Sequence, residues 1–144
     1  MPIVSLNMEK IYVERKTPLK GNIKISNDLI IKDVAKENLQ MGPKQEDVLR
    51  FTFHFSSKYE PGVGEISMIG HILYLEKKET LNKVLEAWKK TRKIDSDLMT
   101  NLVNTALTKC NIKALALSQE VNLPPHLHLP IMQKKVDKAA EYIG

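Results

Sequence analysis

A single cysteine, Cys110, stands in the 144 residues. No disulfide framework can form within the chain, and a lone thiol fits a reducing compartment. Long apolar runs are missing too. Nothing approaches the roughly 20 consecutive apolar residues that a bilayer-spanning helix needs. The opening MPIVSLNMEK has no basic region followed by an apolar block, the pattern of a secretory signal, so a cytoplasmic location is expected. Arginine is scarce, with only Arg15, Arg50 and Arg92, few for a protein that reads bases. There is no phosphate-binding G-x-x-x-x-G-K-[ST] loop, and Gly62 and Gly64 do not complete a dinucleotide fingerprint.

What is present describes a folded domain. Hydrophobic residues make up 42% and charged residues 27%, a balance that excludes wholesale disorder. A chain of this size buries roughly 70% of its extended surface on folding, enough for a core without metal or disulfide support. We expect one domain over residues 1–132, with 133–144 as a short helix or tail. The net charge is +5, from 22 Lys and Arg against 17 Asp and Glu. Lysine pairs at 77–78, 89–90 and 134–135 stand beside apolar or acidic residues, a pattern read as scattered solvated charge rather than one phosphate-binding face.

The periodicity separates strands from helices. In IVSLNMEKIYVE (3–14), Val4, Leu6 and Met8 share one parity while Ile11 and Val13 take the other, which predicts a strand with a bulge or strong twist. TPLKGN (17–22) supplies turn residues. In NIKISNDLIIKDV, Ile23, Ile25, Leu29 and Ile31 alternate with Lys24, Ser26, Asp28 and Lys32, a half-buried strand with an irregularity expected at Asn27-Asp28. AKENLQMGPKQED (35–47) shows little periodicity and reads as a long connection crossing the sheet. LRFTFHFS (49–56) places Leu49, Phe51, Phe53 and Phe55 on one face. A turn through Pro61, Gly62 and Gly64 then joins it to an antiparallel neighbour.

The fourth strand, ISMIGHILYLE (66–76), is apolar on both parities, with Ile66, Met68, Ile72 and Tyr74 opposed to Ile69, Leu73 and Leu75. Such a strand has to be covered on two sides. From Glu79 the period becomes helical. Leu81, Val84, Leu85 and Trp88 form one stripe, and after an N-cap at Asp95 or Ser96, Leu102, Ala106, Cys110 and Ala114 form another. Pro124 and Pro125 prevent that helix from continuing, so VNLPPHLHLP reads as an extended apolar segment. Strands grouped before helices predict an α+β fold, a four-stranded antiparallel sheet with two helices on one face.

No constellation of residues points to a reaction. Cys110 on an apolar stripe reads as core rather than nucleophile. His126 and His128 read as the solvent-facing alternates of Leu127 and Leu129, and no acidic or cysteine residue completes a metal set with them. Asp95 and Asp97 are accounted for by helix capping. No cofactor, metal or enzymatic activity is expected. Phe51, Phe53, Phe55 and Trp88 read first as core, and second as the lining of a ligand groove together with Leu123 and Leu127.

Two stretches, GVGEISMIGHILYL (62–75) and NLVNTALTKCNIKALALSQEVNLPPHLHLP (101–130), resemble the SecB export-chaperone family. The first resembles that family's fourth strand, with a glycine inside an isoleucine-rich run. The second resembles its long closing helix and proline-rich exit. The resemblance spans most of residues 1–132. It implies a homo-oligomer, a dimer or a tetramer built from dimers, that holds unfolded polypeptides in apolar surface grooves without ATP. An interface through Ile69, Leu73 and Leu75 of the fourth strand and Leu102 and Ala106 of the second helix is expected. The family's acidic members dock on the SecA motor, and the basic balance of this chain argues against that partner. The +5 charge leaves one alternative, a nucleic-acid or ribonucleoprotein binding module.

Overall fold

In the computed structural model, which describes residues 3–18 and 21–130, four strands precede two helices. The strands are β1 (Ile3–Arg15), β2 (Lys24–Met41), β3 (Lys44–Glu60) and β4 (Gly64–Tyr74), followed by α1 (Lys78–Thr91) and α2 (Ser96–Glu120). The fold is α+β. Every pairing in the sheet is antiparallel and the order is β1-β4-β3-β2. The tail expected over 133–144 lies outside the described residues. No helix among those described is long and apolar enough to cross a membrane.

The core occupies one face of the sheet. Phe51, Phe53 and Phe55 of β3 and Ile66, Met68 and Ile72 of β4 are sealed against Leu81 and Trp88 of α1 and Leu102, Ala106, Cys110 and Ala114 of α2. Each large apolar side chain buried this way contributes about 1.5–3 kcal/mol relative to exposure. The parity change in β1 has its cause here. Leu6 and Met8 are in register with Ile72 and Gly70, Ile11 and Val13 with Met68 and Ile66, and the register slips between Met8 and Lys10. One extra residue, Glu9, turns both parities toward the helices. Gly70 lies opposite that bulge. A Cβ there would sit 2.6 Å from the Asn7 carbonyl oxygen and 2.8 Å from Phe53 Cζ, so the close approach of β1 to β4 excludes a side chain.

Two expectations about the sheet are corrected. Residues 35–47 do not cross the sheet; they are the far half of a long hairpin in which Met41 faces Lys44 across Gly42-Pro43. Gly42 has a φ of 63°, as the first central position of a primed hairpin turn requires. Most residues from Ala35 to Glu46 are exposed or only partly buried on both faces, so nothing imposed an apolar alternation that the sequence could display. The connection that crosses is the one between β1 and β2, which lie at opposite edges of the sheet. It passes the β3–β4 turn, where the Lys16 and Thr17 amides donate to the Val63 carbonyl at 2.7 and 3.4 Å. The irregularity in β2 falls between Ile31 and Asp33 rather than at Asn27-Asp28.

Among the described residues, no helix covers the other face of the sheet. Its centre holds an ion network in which Arg50 Nη2 lies 3.2 Å from Glu9 Oε1 and Nη1 lies 3.7 Å from Glu37 Oε1. His71 Nδ1 sits 3.1 Å from Arg50 Nη2 and 3.3 Å from Glu9 Oε2. Leu73 and Val48 are buried on this face, while Ile69 and Leu75 are half-buried. The double coverage expected for β4 is thus partly met on this face, where Leu73 is buried while Ile69 and Leu75 are only half-covered.

Candidate functional site

The second helix ends where the proline pair begins. Asn122 adopts a φ of 58°, the Leu123 amide donates back to the Ser118 carbonyl at 2.8 Å, and residues 123–130 leave as an extended strap. Pro124 and Pro125 disfavour the helical conformation and carry no amide hydrogens, so side chains from the sheet take up the strap's carbonyls. Tyr59 Oη donates to the Pro124 carbonyl at 2.5 Å, and Asn27 Nδ2 donates to the His126 carbonyl at 3.0 Å. Asn27 Oδ1 in turn accepts from Ser57 Oγ at 2.6 Å. Burial pushes the Tyr59 phenol up to about 12, so it remains a donor across the ordinary pH range.

His126 fixes the strap to the helix. Its Nε2 is 2.9 Å from Asn111 Oδ1 of α2, and its ring packs edge-to-face on Phe55 with centroids 5.9 Å apart. Only 4% of His126 is exposed, while Leu127 and Leu129 are 39% and 50% exposed. The expectation fails for His126, which turns inward, and for Leu127 and Leu129, which turn out, while His128 is exposed and Leu123 buried as expected. A strap outside the sheet is under no two-residue register, and the Asn111 carbonyl supplies the polar partner that a buried imidazole needs.

The strap, β2 and α2 enclose two hollows that share Asn27 and Leu127 as lining residues. One, of about 350 Å³, is bordered by Ile23 and Ile25 of β2 and by Pro125, His126 and His128 of the strap. The other, of about 370 Å³, is bordered by Leu29, Phe55, Val103, Leu107 and Asn111. Together they make a trough along β2. On its outer edge β2 pairs with no strand among the described residues, so backbone donors and acceptors of alternate residues face outward there. The trough is lined mainly by apolar side chains, with Asn27, Asp28, Asn111, His126 and His128 among them, and lies beside a strand edge.

Of the residues expected to bind a polypeptide, Leu127 borders both hollows and Phe55 borders the second from below. Leu123 is buried at the root of the strap. Phe51 and Phe53 are sealed in the core, Phe51 edge-to-face with Tyr74 at 5.9 Å, and cannot reach a ligand in this arrangement. Trp88 is buried on the sheet-facing side of α1, with the Arg92 guanidinium 5.4 Å from its ring centroid. Leu102 and Ala106 face the sheet of their own chain with no exposed surface. The physical reason is shared: the stripe that reads as surplus apolar surface is consumed by the helix–sheet core. Asn27, Asn111 and His126 were missed, and their pattern carries no signal, because the contacts join β2, α2 and the strap across up to 99 positions of sequence.

Chemistry at the remaining candidates is quiet. Burial pushes the Cys110 thiol up to about 11, the opposite of an activated nucleophile. Among the described residues no three His, Cys, Asp or Glu side chains converge as a metal set. His54 is occupied by Ser67 Oγ at 2.8 Å, and burial lowers its pKa. The charge, by contrast, is less scattered than it reads at first. Residues 77–93 hold Lys77, Lys78, Lys83, Lys89, Lys90, Arg92 and Lys93 against Glu79 and Glu86, a surplus equal to the net charge of the whole chain. Those cations are exposed on or beside α1.

No protein-family model matches the chain. No curated protein matches it either. Among solved structures it is similar to the Mycobacterium tuberculosis Rv1957 SecB-like chaperone in complex with a ChAD peptide from the Rv1956 HigA1 antitoxin, with a TM-score of 0.44 and 14% sequence identity, over 93% of this chain and 91% of that one.

Proposed function

We propose that this protein is a SecB-like holdase, a cytoplasmic polypeptide-binding protein that works without ATP and takes extended, nonnative segments into the trough beside β2. The observation that carries the reading is the coincidence of an aliphatic trough with an unpaired strand edge. An extended chain laid there gains backbone hydrogen bonds from β2, which are indifferent to sequence, and buries alternate side chains against Ile25, Leu29, Leu107 and Leu127. No reaction is part of the proposal. The domain is taken to run through residue 132, and SecA is not proposed as a partner because the surplus charge is positive.

A homo-oligomer belongs to the same reading. The edge strand β1 exposes Val4, Ile11 and Tyr12, and Ile69 is half-buried on the helix-free face of β4, which offers apolar contact to a second copy in place of Leu102 and Ala106.

The test is fluorescence anisotropy of a labelled unfolded polypeptide, together with light scattering from an aggregating client. Binding at stoichiometric ratios and delayed aggregation are expected. Leu127→Asp, at an exposed position on the wall of both hollows, should weaken binding at least about tenfold, a loss near 1.4 kcal/mol. A client that aggregates unchanged in the presence of excess protein overturns the proposal.

A second reading is favoured by one observation, the concentration of surplus cations on and beside α1. Nucleic acid bound there would be released steeply by salt. Retention on RNA at 50 mM salt that disappears in a Lys83→Glu, Lys90→Glu variant supports it; no retention at low salt removes it.

A further inference from the structure

We propose that the strap of residues 123–128 is a proton-sensitive latch on the trough: protonation of His126 releases the strap and joins the two hollows into one open channel. The latch rests on the reading of the trough as the functional site, and it concerns how that site is regulated.

One neutral tautomer suits the contacts. With Asn111 Oδ1 facing His126 Nε2 at 2.9 Å, a ring that carries its proton on Nε2 donates to that oxygen and leaves Nδ1 bare. Nδ1 is buried and has no hydrogen-bond partner. A second proton would create a buried N–H⁺ with no acceptor, in contact with the Phe55 ring. Nothing around the imidazole offsets that charge. From β3 it meets Phe55, with Tyr59 uncharged at the neighbouring carbonyl; from α2 it meets the neutral Asn111 amide. Lys109 and Lys113 of α2 border a separate opening with Ile112 and Ala116. The titratable groups on the margins of the two hollows are Asp28 of β2 and His128 of the strap itself. Burial alone lowers the His126 pKa below its ordinary 6.5.

The sign follows from linkage. A released imidazole returns to its ordinary pKa, so the open form binds the proton more readily than the latched form. The latched form keeps its full advantage above about pH 6.5 and loses it as the pH falls through the lowered value, by up to tenfold per pH unit for one proton. Leu123 stays buried as the root, and what the strap beyond it gives up on release is local: two carbonyl acceptors, the Asn111 contact and the Phe55 contact. The strands and helices keep their own hydrogen bonds.

Nuclear magnetic resonance of the unliganded protein tests the latch, through the ring contact of His126 with Phe55 and the contact of the Tyr59 ring with Pro124. Both should fade between pH 7.5 and 5.0 along the His126 titration, while the β3 and β4 amides keep their shifts and Cys110 stays unreactive. His126→Gln retains a neutral donor for Asn111 at every pH, and Asn111→Asp supplies a carboxylate for the imidazolium. In both variants the Tyr59–Pro124 contact should persist at pH 5.0. Strap contacts that survive at pH 5.0 in the unmodified protein, or that vanish equally in all three proteins, overturn the proposal. Because no client is present, a latch that stays shut leaves the polypeptide-binding reading intact, and a trough that takes no polypeptide leaves the latch result standing.

Discussion

Asn27 stands on the helix-facing side of β2, in register with Ser57 of β3, at a place where the alternation calls for an apolar residue. Its amide joins Ser57 to the strap, and that bridge holds the trough wall. Two other single residues carry sharp expectations. The Cys110 thiol, raised to about 11, should react with a disulfide reagent at pH 8 only as fast as the protein unfolds; prompt stoichiometric labelling in native buffer would contradict its burial. Gly70→Ala forces a methyl group against the Asn7 carbonyl and the Phe53 ring, and should cost about 1–3 kcal/mol in urea denaturation. At this scale the core phenylalanines were legible because a buried strand face forces period two. His126 was not, since its burial depends on partners supplied by α2 and β2.

The elements differ in how they are held. α2 begins at Asp95, whose carboxylate accepts from the Leu98 amide at 3.4 Å, and its buried stripe of Leu102, Ala106, Cys110 and Ala114 repeats every four residues as the pattern predicts. α1 has a weaker start. Its N-cap is Lys77, which makes no side-chain cap bond and places a cation at the positive end of the helix dipole. Lys77→Asp should therefore raise stability by about 0.5–1 kcal/mol, read as a higher urea midpoint at unchanged slope. An unchanged or lower midpoint would show that the α1 start is set by the preceding chain instead. Both helices and the bulged β1 were visible as apolar periodicity, since each buries one face. The far half of the β2–β3 hairpin was not, since it has no consistently buried face.

At the scale of the whole molecule, the apolar surface that the described residues leave outside the core lies on the β1 edge, the helix-free face, the β2–β3 hairpin tip at Met41, the outer side of α2 at Ile112 and the trough rim. If copies associate through the first of these, Ile11→Lys should reduce the mass measured by light scattering to that of one protomer without altering the far-ultraviolet circular dichroism. A wild-type mass of 16.4 kDa at high concentration would remove the assembly altogether. The sequence by itself determined the class of fold, the number and order of elements and the side of each that faces the core, because burial imposes its period locally. Only the tertiary structure decided that β1 and β2 lie at opposite edges, that the crossing connection is the one joining them, and that His126 rather than Leu127 turns inward. These outcomes depend on which surfaces meet across long separations, and an open trough exists only where two elements stop short of covering a third.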